Sequence, residues 1–328
     1  MRESGDFHVY VDDAYHVESD IDPHCYMKNS NGIGMMGGCE MTKWLRKDTP
    51  VAFMFLLPSG LGFAIFYFIP FVKGIMYSFQ NNAVQGQFVG FDNYRELLDS
   101  DSFRKAFLHT TYFTVISVPI LIALSLGIAI LLNKNIYGRN ILRTAYVLPL
   151  VVPTASIVLI WQILFDWNGS LNAWLGTWMI ERVDWMKTDA ARYVIIGVYI
   201  WKNIGYNMIL FLAGLQQIPK DYYETAYIEG AGRFRQFRSI TLVYLTPTMF
   251  FVVLMSIMNS FKVFRETYLV AGDYPHDSIY MLQHYMNNMF VSLDIQKLTA
   301  AASLMAACIL VIVMGMYFIE RRVRHSLD

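Results

Sequence analysis

The sequence has little charge for its length. Only 16% of its 328 residues are aspartate, glutamate, lysine or arginine, whereas about a quarter are charged in a typical soluble domain. This shortage excludes a disordered chain, a coiled coil and a protein that coats nucleic acid, since each depends on charged side chains. The chain has 26 basic and 26 acidic residues, so no net charge attracts an anionic partner.

Cysteines are few and catalytic motifs are absent. The three cysteines, Cys25, Cys39 and Cys308, cannot form a disulfide framework. The sequence has no G-x-x-x-x-G-K-[ST] phosphate loop, no H-E-x-x-H zinc motif and no G-x-S-x-G serine motif. These gaps argue against ATP hydrolysis by this chain and against an intramembrane hydrolase. We therefore expect neither a catalytic residue nor a metal site.

Long apolar runs are what the sequence has instead. It is 55% hydrophobic, and a helix needs about 20 apolar residues to cross a bilayer. Six such windows occur; the fourth contains one charged residue, Lys202, and the second, third, fifth and sixth contain none. The sequence thus predicts an all-α membrane protein whose six-helix domain covers residues 43–328. The predicted spans are residues 51–71, 108–132, 144–165, 193–215, 242–261 and 298–319.

Lysine and arginine near the span ends predict the orientation. The side that holds both termini has 13 of them and the opposite side has 10. Because positive residues favour the cytoplasmic side, we place both termini in the cytoplasm. Residues 1–42 are acidic and polar and lack the apolar stretch of a signal peptide. We expect them to be disordered, or to be an upstream extension, with Met41 as a natural start.

The loop between the fourth and fifth spans, residues 216–241, carries the most informative pattern. Asp221 and Glu224 have the Asp-x-x-Glu spacing of a capping box, which predicts that a helix begins there. The Gly-Ala-Gly run at residues 230–232 ends that helix and leaves a surface without bulk. Because small residues let another protein approach closely, this pattern favours a docking surface. An ordinary capped loop helix is the alternative.

This loop resembles the motif of the binding-protein-dependent ABC importer permeases. That motif is Glu-Ala-Ala, three residues, glycine, nine residues and then Ile-x-Leu-Pro. Here residues 224–226 are Glu-Thr-Ala, Gly230 follows at the required spacing, and residues 240–243 are Ile-Thr-Leu-Val. Two positions depart from the motif, since Thr225 replaces alanine and Val243 replaces proline. Threonine is still small, so the docking surface is little affected.

The resemblance implies the type I ABC importer permease fold and a division of work between subunits. A second, related permease would pair with this chain, and two ATPase subunits that bind ATP and Mg²⁺ would dock on the loop helices. An extracellular solute-binding protein would deliver the substrate. The chain itself would need no cofactor and would lie in the inner membrane of a prokaryote. The residues that the resemblance assigns to ATPase coupling are Glu224, Thr225, Ala226, Gly230, Ala231 and Gly232.

Other stretches between about residues 44 and 322 look like the carbohydrate-uptake branch of that family, which includes maltose and glycerol-3-phosphate permeases. The resemblance therefore implies that a sugar or oligosaccharide is carried by alternating access. The stretches are Leu57-Pro58, residues 88–94, Leu148-Pro149 with Pro153, and Trp201-Lys202 ahead of residues 213–215.

Polar residues inside the predicted spans are candidates for the substrate path. A charge at the bilayer centre costs about 2.5–3.5 kcal/mol on insertion scales, so Lys202 should face protein or water. Asn203 and Asn207 are four residues apart and share a helix face. Both a wall of the path and interhelical hydrogen bonding explain such residues, and both remain open. The candidates are Lys202, Asn203, Tyr206, Asn207, Asn259, Trp161 and Gln162.

Two other functions are alternatives. A secondary transporter or channel for a small polar solute needs its sites within one chain, usually with inverted repeats and broken helices, and the sequence has no convincing repeat. A membrane-bound enzyme needs a catalytic constellation, which the missing motifs oppose. Neither alternative explains the loop at residues 216–241.

Overall fold

The computed structural model describes residues 39–82, 86–272 and 275–325, with side chains between residues 51 and 322. Most of the predicted N-terminal segment, residues 1–42, lies outside these ranges. The described residues form helices and no strand; one isolated antiparallel bridge joins Gln80 and Phe88.

Fourteen α-helices follow one another along these ranges. The first seven are α1 (Cys39–Phe63), α2 (Ile69–Tyr77), α3 (Asp92–Asp99), α4 (Asp101–Asn133), α5 (Arg139–Val151), α6 (Thr154–Phe165) and α7 (Ser170–Thr177). The others are α8 (Ala191–Gln216), α9 (Lys220–Ile228), α10 (Arg233–Gln236), α11 (Leu242–Ser260), α12 (Phe264–Ala271), α13 (Leu282–Val291) and α14 (Ile295–His325). Short π-helical turns occupy Ala64–Phe68 and Phe237–Thr241, and a 3-10 turn occupies Asp277–Ile279.

The chain divides into two units after Pro70. The first unit contains α1 and the π-helical turn that follows it. From Val51 onward this helix carries no charged residue. A helix satisfies its own backbone hydrogen bonds, so an apolar one is stable in lipid without a protein core around it.

The second unit is a helix bundle built around α4 and α8, which form its most extensive helix pair. Helix α5 packs on α8, and α11 packs on both α4 and α8. Buried apolar side chains fill the bundle because each of these helices turns one face inward. The cluster nearest the loop at residues 216–241 includes Leu126, Leu132, Met208, Phe211, Leu212, Leu215, Ile218 and Leu245.

Five of the six predicted spans fall on helices that are long and apolar enough to cross a membrane. The all-α membrane fold predicted from the sequence is therefore confirmed. The helices extend beyond the apolar windows because their polar end turns are helical too. These helices are Val51–Tyr77, Asp101–Asn133, Ala191–Gln216, Arg233–Ala271 and Ile295–Arg322.

The third predicted span, residues 144–165, is wrong as a single helix. Helix α5 ends at Val151, α6 begins at Thr154, and the segments Arg139–Val151 and Thr154–Thr177 are bent by 99° relative to each other. Pro153 explains the break, because proline has no N–H to continue the helix and disfavours the helical conformation in the residue before it. Val152 is accordingly extended, with φ −68° and ψ 133°. The third span is therefore a bent pair of helices.

Candidate functional site

The loop at residues 216–241 forms two short helices, α9 and α10, joined by a tight turn. The predicted helix is present, but the predicted capping box is wrong. Helix α9 begins at Lys220, with Pro219 before it and no side-chain cap. Because the helix starts two residues ahead of the start that an Asp221 cap would give, Asp221 lies within the first turn. Its carboxylate can stabilise the helix N-terminus through the helix dipole.

The small residues at 230–232 end α9 as predicted. Gly230 has φ +79°, a left-handed conformation that glycine adopts without steric cost. The Ala231 N–H donates to the Ala226 carbonyl at 2.9 Å, which is the long hydrogen bond of a Schellman helix end. The chain then reverses and enters α10 at Arg233.

The loop is tethered to the bundle at several points. Ile218, just before α9, is buried in the apolar cluster at this end of the bundle. The hydroxyls of Tyr223 and Thr241 share a hydrogen bond of 2.9 Å. The Gln236 amide donates to the Ala231 carbonyl at 2.9 Å. The first two contacts join α9 to the end of α8 and to the start of α11, and the third joins the turn after α9 to α10.

The outer face of the loop is apolar and exposed. Tyr227, Ile228 and Phe234 are 78%, 84% and 77% exposed. Among the residues assigned to ATPase coupling, Glu224, Thr225, Gly230 and Gly232 are exposed, and Ala226 and Ala231 are half-buried. The structure therefore brings the six residues together on one short element beside large exposed side chains. Contiguous exposed apolar residues mark interaction sites.

A second group of polar residues ties α8 to α11 inside the bundle. The Tyr199 hydroxyl donates to the Ser256 carbonyl at 2.8 Å, and the Asn207 amide donates to the Ser256 hydroxyl at 2.8 Å. Asn207 is buried, so it takes part in helix packing. Asn203, one turn before it, donates to the Tyr199 carbonyl of its own helix at 2.8 Å. Asn203 and Tyr206 are half-buried.

Lys202 forms the most buried ion pair among the described residues. Its ammonium donates to the Glu266 carboxylate of α12 and, at 3.1 Å, to the Thr154 hydroxyl at the start of α6. The side chains of Lys202 and Glu266 are 18% and 10% exposed. The pair meets the expectation that a charge within a span faces protein or water.

Sequence reasoning missed Glu266. It lies beyond the fifth predicted span, residues 242–261, and the sequence alone makes it a loop residue. The structure instead places it in α12, which packs on α6. The signal that was available is Lys202 itself, because a charge in an apolar helix requires a partner, and Glu266 follows the neighbouring span by five residues.

Trp161 and Gln162 both lie on α6, near this ion pair in the fold. Trp161 stacks on Phe165, with ring centroids 5.4 Å apart, and meets Trp201 edge-on at 5.6 Å. The Gln162 amide donates to the carbonyls of Leu269 and Val270, near the end of α12, at 3.2 Å each. Both residues thus brace the broken span against its neighbours. Asn259 is half-buried in α11, one turn beyond Ser256.

We call the hydrogen bonds between α8 and α11, together with the contacts of Lys202 to Glu266 and Thr154, the polar cluster. It adjoins the break between α5 and α6, since Thr154 is the first residue of α6. Irregular backbone at membrane depth is stable only where protein buries it or where it lines a water-filled cavity. The cluster can donate and accept hydrogen bonds, and the charges of Lys202 and Glu266 compensate each other. This chemistry suits recognition of a hydroxyl-rich molecule.

Residues 119–325 match the protein family described as binding-protein-dependent transport system inner membrane component. The match begins within α4 and ends with α14. It therefore contains the loop element, the broken span and the polar cluster.

Several transport proteins are similar over most of their length. The trehalose/maltose transport system permease protein MalF of Thermococcus litoralis is 29% identical over 234 residues, which cover 70% of this chain and 79% of that protein. The arabinooligosaccharides transport system permease protein AraP of Bacillus subtilis is 31% identical over 227 residues, which cover 66% of this chain and 71% of that protein.

A solved structure is similar in fold. It is a bacterial ABC transporter involved in the import of the acidic polysaccharide alginate. One of its chains superposes with a TM-score of 0.74 and 23% identity, covering 86% of this chain and 98% of that chain. At this identity the likeness establishes the fold alone.

Proposed function

Since this chain belongs to the family of binding-protein-dependent transport system inner membrane components, we propose that it is the permease subunit of an ATP-driven importer for a sugar or oligosaccharide. The cargo is supported by relatives whose names specify trehalose and maltose or arabinooligosaccharides. An extracellular solute-binding protein delivers the sugar, and the permease passes it inward by alternating access.

ATP and Mg²⁺ bind, in this proposal, to two separate ATPase subunits. One ATPase docks on the loop element of this chain and the other on the loop of a second, related permease. The observation that carries the proposal is that the loop is exposed on its outer face and tethered on its inner face, through Ile218 and the Tyr223–Thr241 hydrogen bond. A force on α9 therefore moves α8 and α11 as bodies, as alternating access requires.

The contact surface of this docking is the group Glu224, Thr225, Ala226, Gly230, Ala231 and Gly232. With the ATPases below it, the loop end of the bundle faces the cytoplasm, and so do both termini. The excess of lysine and arginine on that side supports this orientation.

The substrate path runs, in this proposal, along the polar face of α8 beside the broken span. Lys202, Asn203 and Tyr206 line it from α8, and Trp161 and Gln162 flank it from α6. Asn259 lies on the neighbouring α11 and completes the wall. Asn207 has a different role, because its hydrogen bond to Ser256 holds α8 against α11.

One observation favours the alternative, a secondary transporter: the span formed by α5 and α6 is broken, and discontinuous helices are frequent in that class. Family membership outweighs it, because the family works with a binding protein. The exposed loop element would also have no role in a single-chain transporter.

The test is a pull-down of the tagged chain from its native membrane, with mass spectrometry of the retained proteins. We expect an ATPase, a second permease and a solute-binding protein to be retained together. ATP-driven uptake by the reconstituted complex then identifies the cargo among the ligands of the binding protein. If the chain is retained alone and transports a solute without ATPase, the proposed function is wrong.

A further inference from the structure

The polar face of α8 contains a positive charge that the protein already neutralises. Lys202 lies within the predicted fourth span, and its ammonium contacts the Glu266 carboxylate directly. The Thr154 hydroxyl accepts a further hydrogen bond from the same ammonium. All three groups come from different helices, α8, α12 and α6, so the bundle has to fold correctly before they meet.

Burial makes this neutralisation important. Charges interact strongly where water is excluded and weakly where it is not. Lys202 and Glu266 are both largely buried, so each interacts more strongly with the other than with distant charges. A lone Lys202 would attract an anionic group in the path, whereas the paired Lys202 offers a substrate its one remaining N–H without net charge.

Other positive groups near the pair are placed differently. Lys262 and Arg265 come from the same part of the chain as Glu266, but their side chains are exposed, and solvent ions screen exposed charges. Arg192, at the start of α8, lies over the ring of Tyr112 with its guanidinium carbon 4.6 Å from the ring centre. None of these three side chains therefore provides an unpaired positive charge beside Asn203 and Tyr206.

We propose that Glu266 is a specificity-determining residue that neutralises Lys202, so that the path accepts a neutral oligosaccharide and rejects an anionic one. This inference rests on the proposed function and adds the charge of the cargo to it. The hydrogen-bonding groups of Lys202, Asn203 and Tyr206 then recognise sugar hydroxyls. A carboxylate on the substrate would compete with the Glu266 carboxylate for Lys202. The two negative carboxylates would also repel each other.

The test compares neutral and anionic sugars on the assembled importer in lipid nanodiscs, without the solute-binding protein, so that only the membrane subunits select. The probes are radiolabelled maltotriose and arabinotriose, and trigalacturonate and an alginate trisaccharide. Equilibrium binding of each is measured for the unaltered complex and for Glu266→Gln, which removes the negative charge and keeps the shape. The matched control is Asp277→Asn, which breaks the exposed Lys105–Asp277 pair, 4.0 Å long, outside the polar cluster.

We expect the unaltered complex to bind a neutral trisaccharide at least about tenfold more tightly than either anionic one, and Glu266→Gln to remove most of this difference. Asp277→Asn should leave the ratio unchanged. If Glu266→Gln does not assemble, the double variant Lys202→Met with Glu266→Gln, which has no charge to neutralise, should keep the neutral preference.

Preferential binding of an anionic sugar by the unaltered complex, or an unchanged ratio in Glu266→Gln, would overturn the inference and leave the importer function intact. A double variant that prefers anionic sugars would overturn it as well. If no sugar of either charge binds, the sugar cargo of the proposed function is wrong, and this inference falls with it.

Discussion

Gly205 of α8 lies directly against the backbone of Tyr146 in α5. A β-carbon added at Gly205 would lie 1.9 Å from the Tyr146 carbonyl oxygen and 3.0 Å from the Val147 nitrogen. Such distances are far below van der Waals contact, so only glycine permits this approach. Gly205 thus lets the first half of the broken span pack on α8, close to the proposed path.

The first prediction concerns this contact. Gly205→Ala should destabilise the permease by about 1–3 kcal/mol or more, since α5 has to move to admit the methyl group. The matched control is Gly197→Ala, in the same helix, where an added β-carbon meets nothing within 4 Å. There the substitution should be neutral or stabilising by about 0.5–1 kcal/mol. Thermal unfolding in detergent measures both, and equal melting temperatures would contradict the close packing.

The second prediction concerns the end of α9. Gly230→Leu should abolish transport while the chain still inserts, because leucine at φ +79° strains the turn and adds bulk to the proposed docking surface. Insertion is checked by membrane fractionation, and docking by co-purification of the ATPase. Gly138→Leu, at the start of α5 and outside the docking surface, is the control, because its φ is +74° and nothing lies within 4 Å of an added β-carbon; it should keep the ATPase bound. Full transport by Gly230→Leu with the ATPase bound would refute the docking assignment.

The third prediction separates two similar asparagines on α8. Asn207→Ala removes the hydrogen bond to Ser256 of α11 and should lower stability by about 0.6–1.7 kcal/mol without changing sugar affinity. Asn203→Ala removes only a bond to its own helix and should weaken sugar binding with little loss of stability. Melting temperature and equilibrium binding are measured on the same preparations. If both variants lose stability and keep affinity, Asn203 is a packing residue too.

The fourth prediction concerns the energetics of the buried ion pair. Lys202→Ala leaves the Glu266 carboxylate buried without its partner and should cost about 3–5 kcal/mol. Replacing both residues, as Lys202→Met with Glu266→Gln, should cost much less, because no uncompensated charge remains. A double-mutant cycle of Lys202→Met, Glu266→Gln and the variant that combines them, measured by thermal unfolding, gives the coupling energy. Additive losses would show that Lys202 and Glu266 do not stabilise each other in the membrane.

Much of the fold could be predicted from the sequence because lipid imposes one strong rule. A span has to be apolar for about 20 residues and satisfy its own backbone, and the windows at residues 108–132 and 193–215 meet both conditions. The family predicted from the motif at residues 224–243 is confirmed as well. Helix starts were less predictable, since Pro219 moved the beginning of α9 ahead of the expected cap.

The candidate sites divide in the same way. The loop element could be predicted because the Glu-Thr-Ala and Gly-Ala-Gly residues are close in sequence and lie within a few helical turns of one another. The ion pair could not, because Lys202 and Glu266 are 64 residues apart and meet only after α8, α12 and α6 pack together. Hydropathy made residues 144–165 one span, since it does not detect the missing N–H of Pro153.

The sequence by itself determined that this chain is an all-helical membrane permease with a short helical loop between its fourth and fifth spans, because hydropathy, glycine placement and motif spacing are local properties. Only the tertiary structure decided which charges compensate each other, which asparagine packs and which glycine admits a neighbouring helix. Those properties depend on distances between helices, and side chains from several helices set them together. Gly205 and Gly197 have the same residue type in the same helix, and only the position of Tyr146 makes them different.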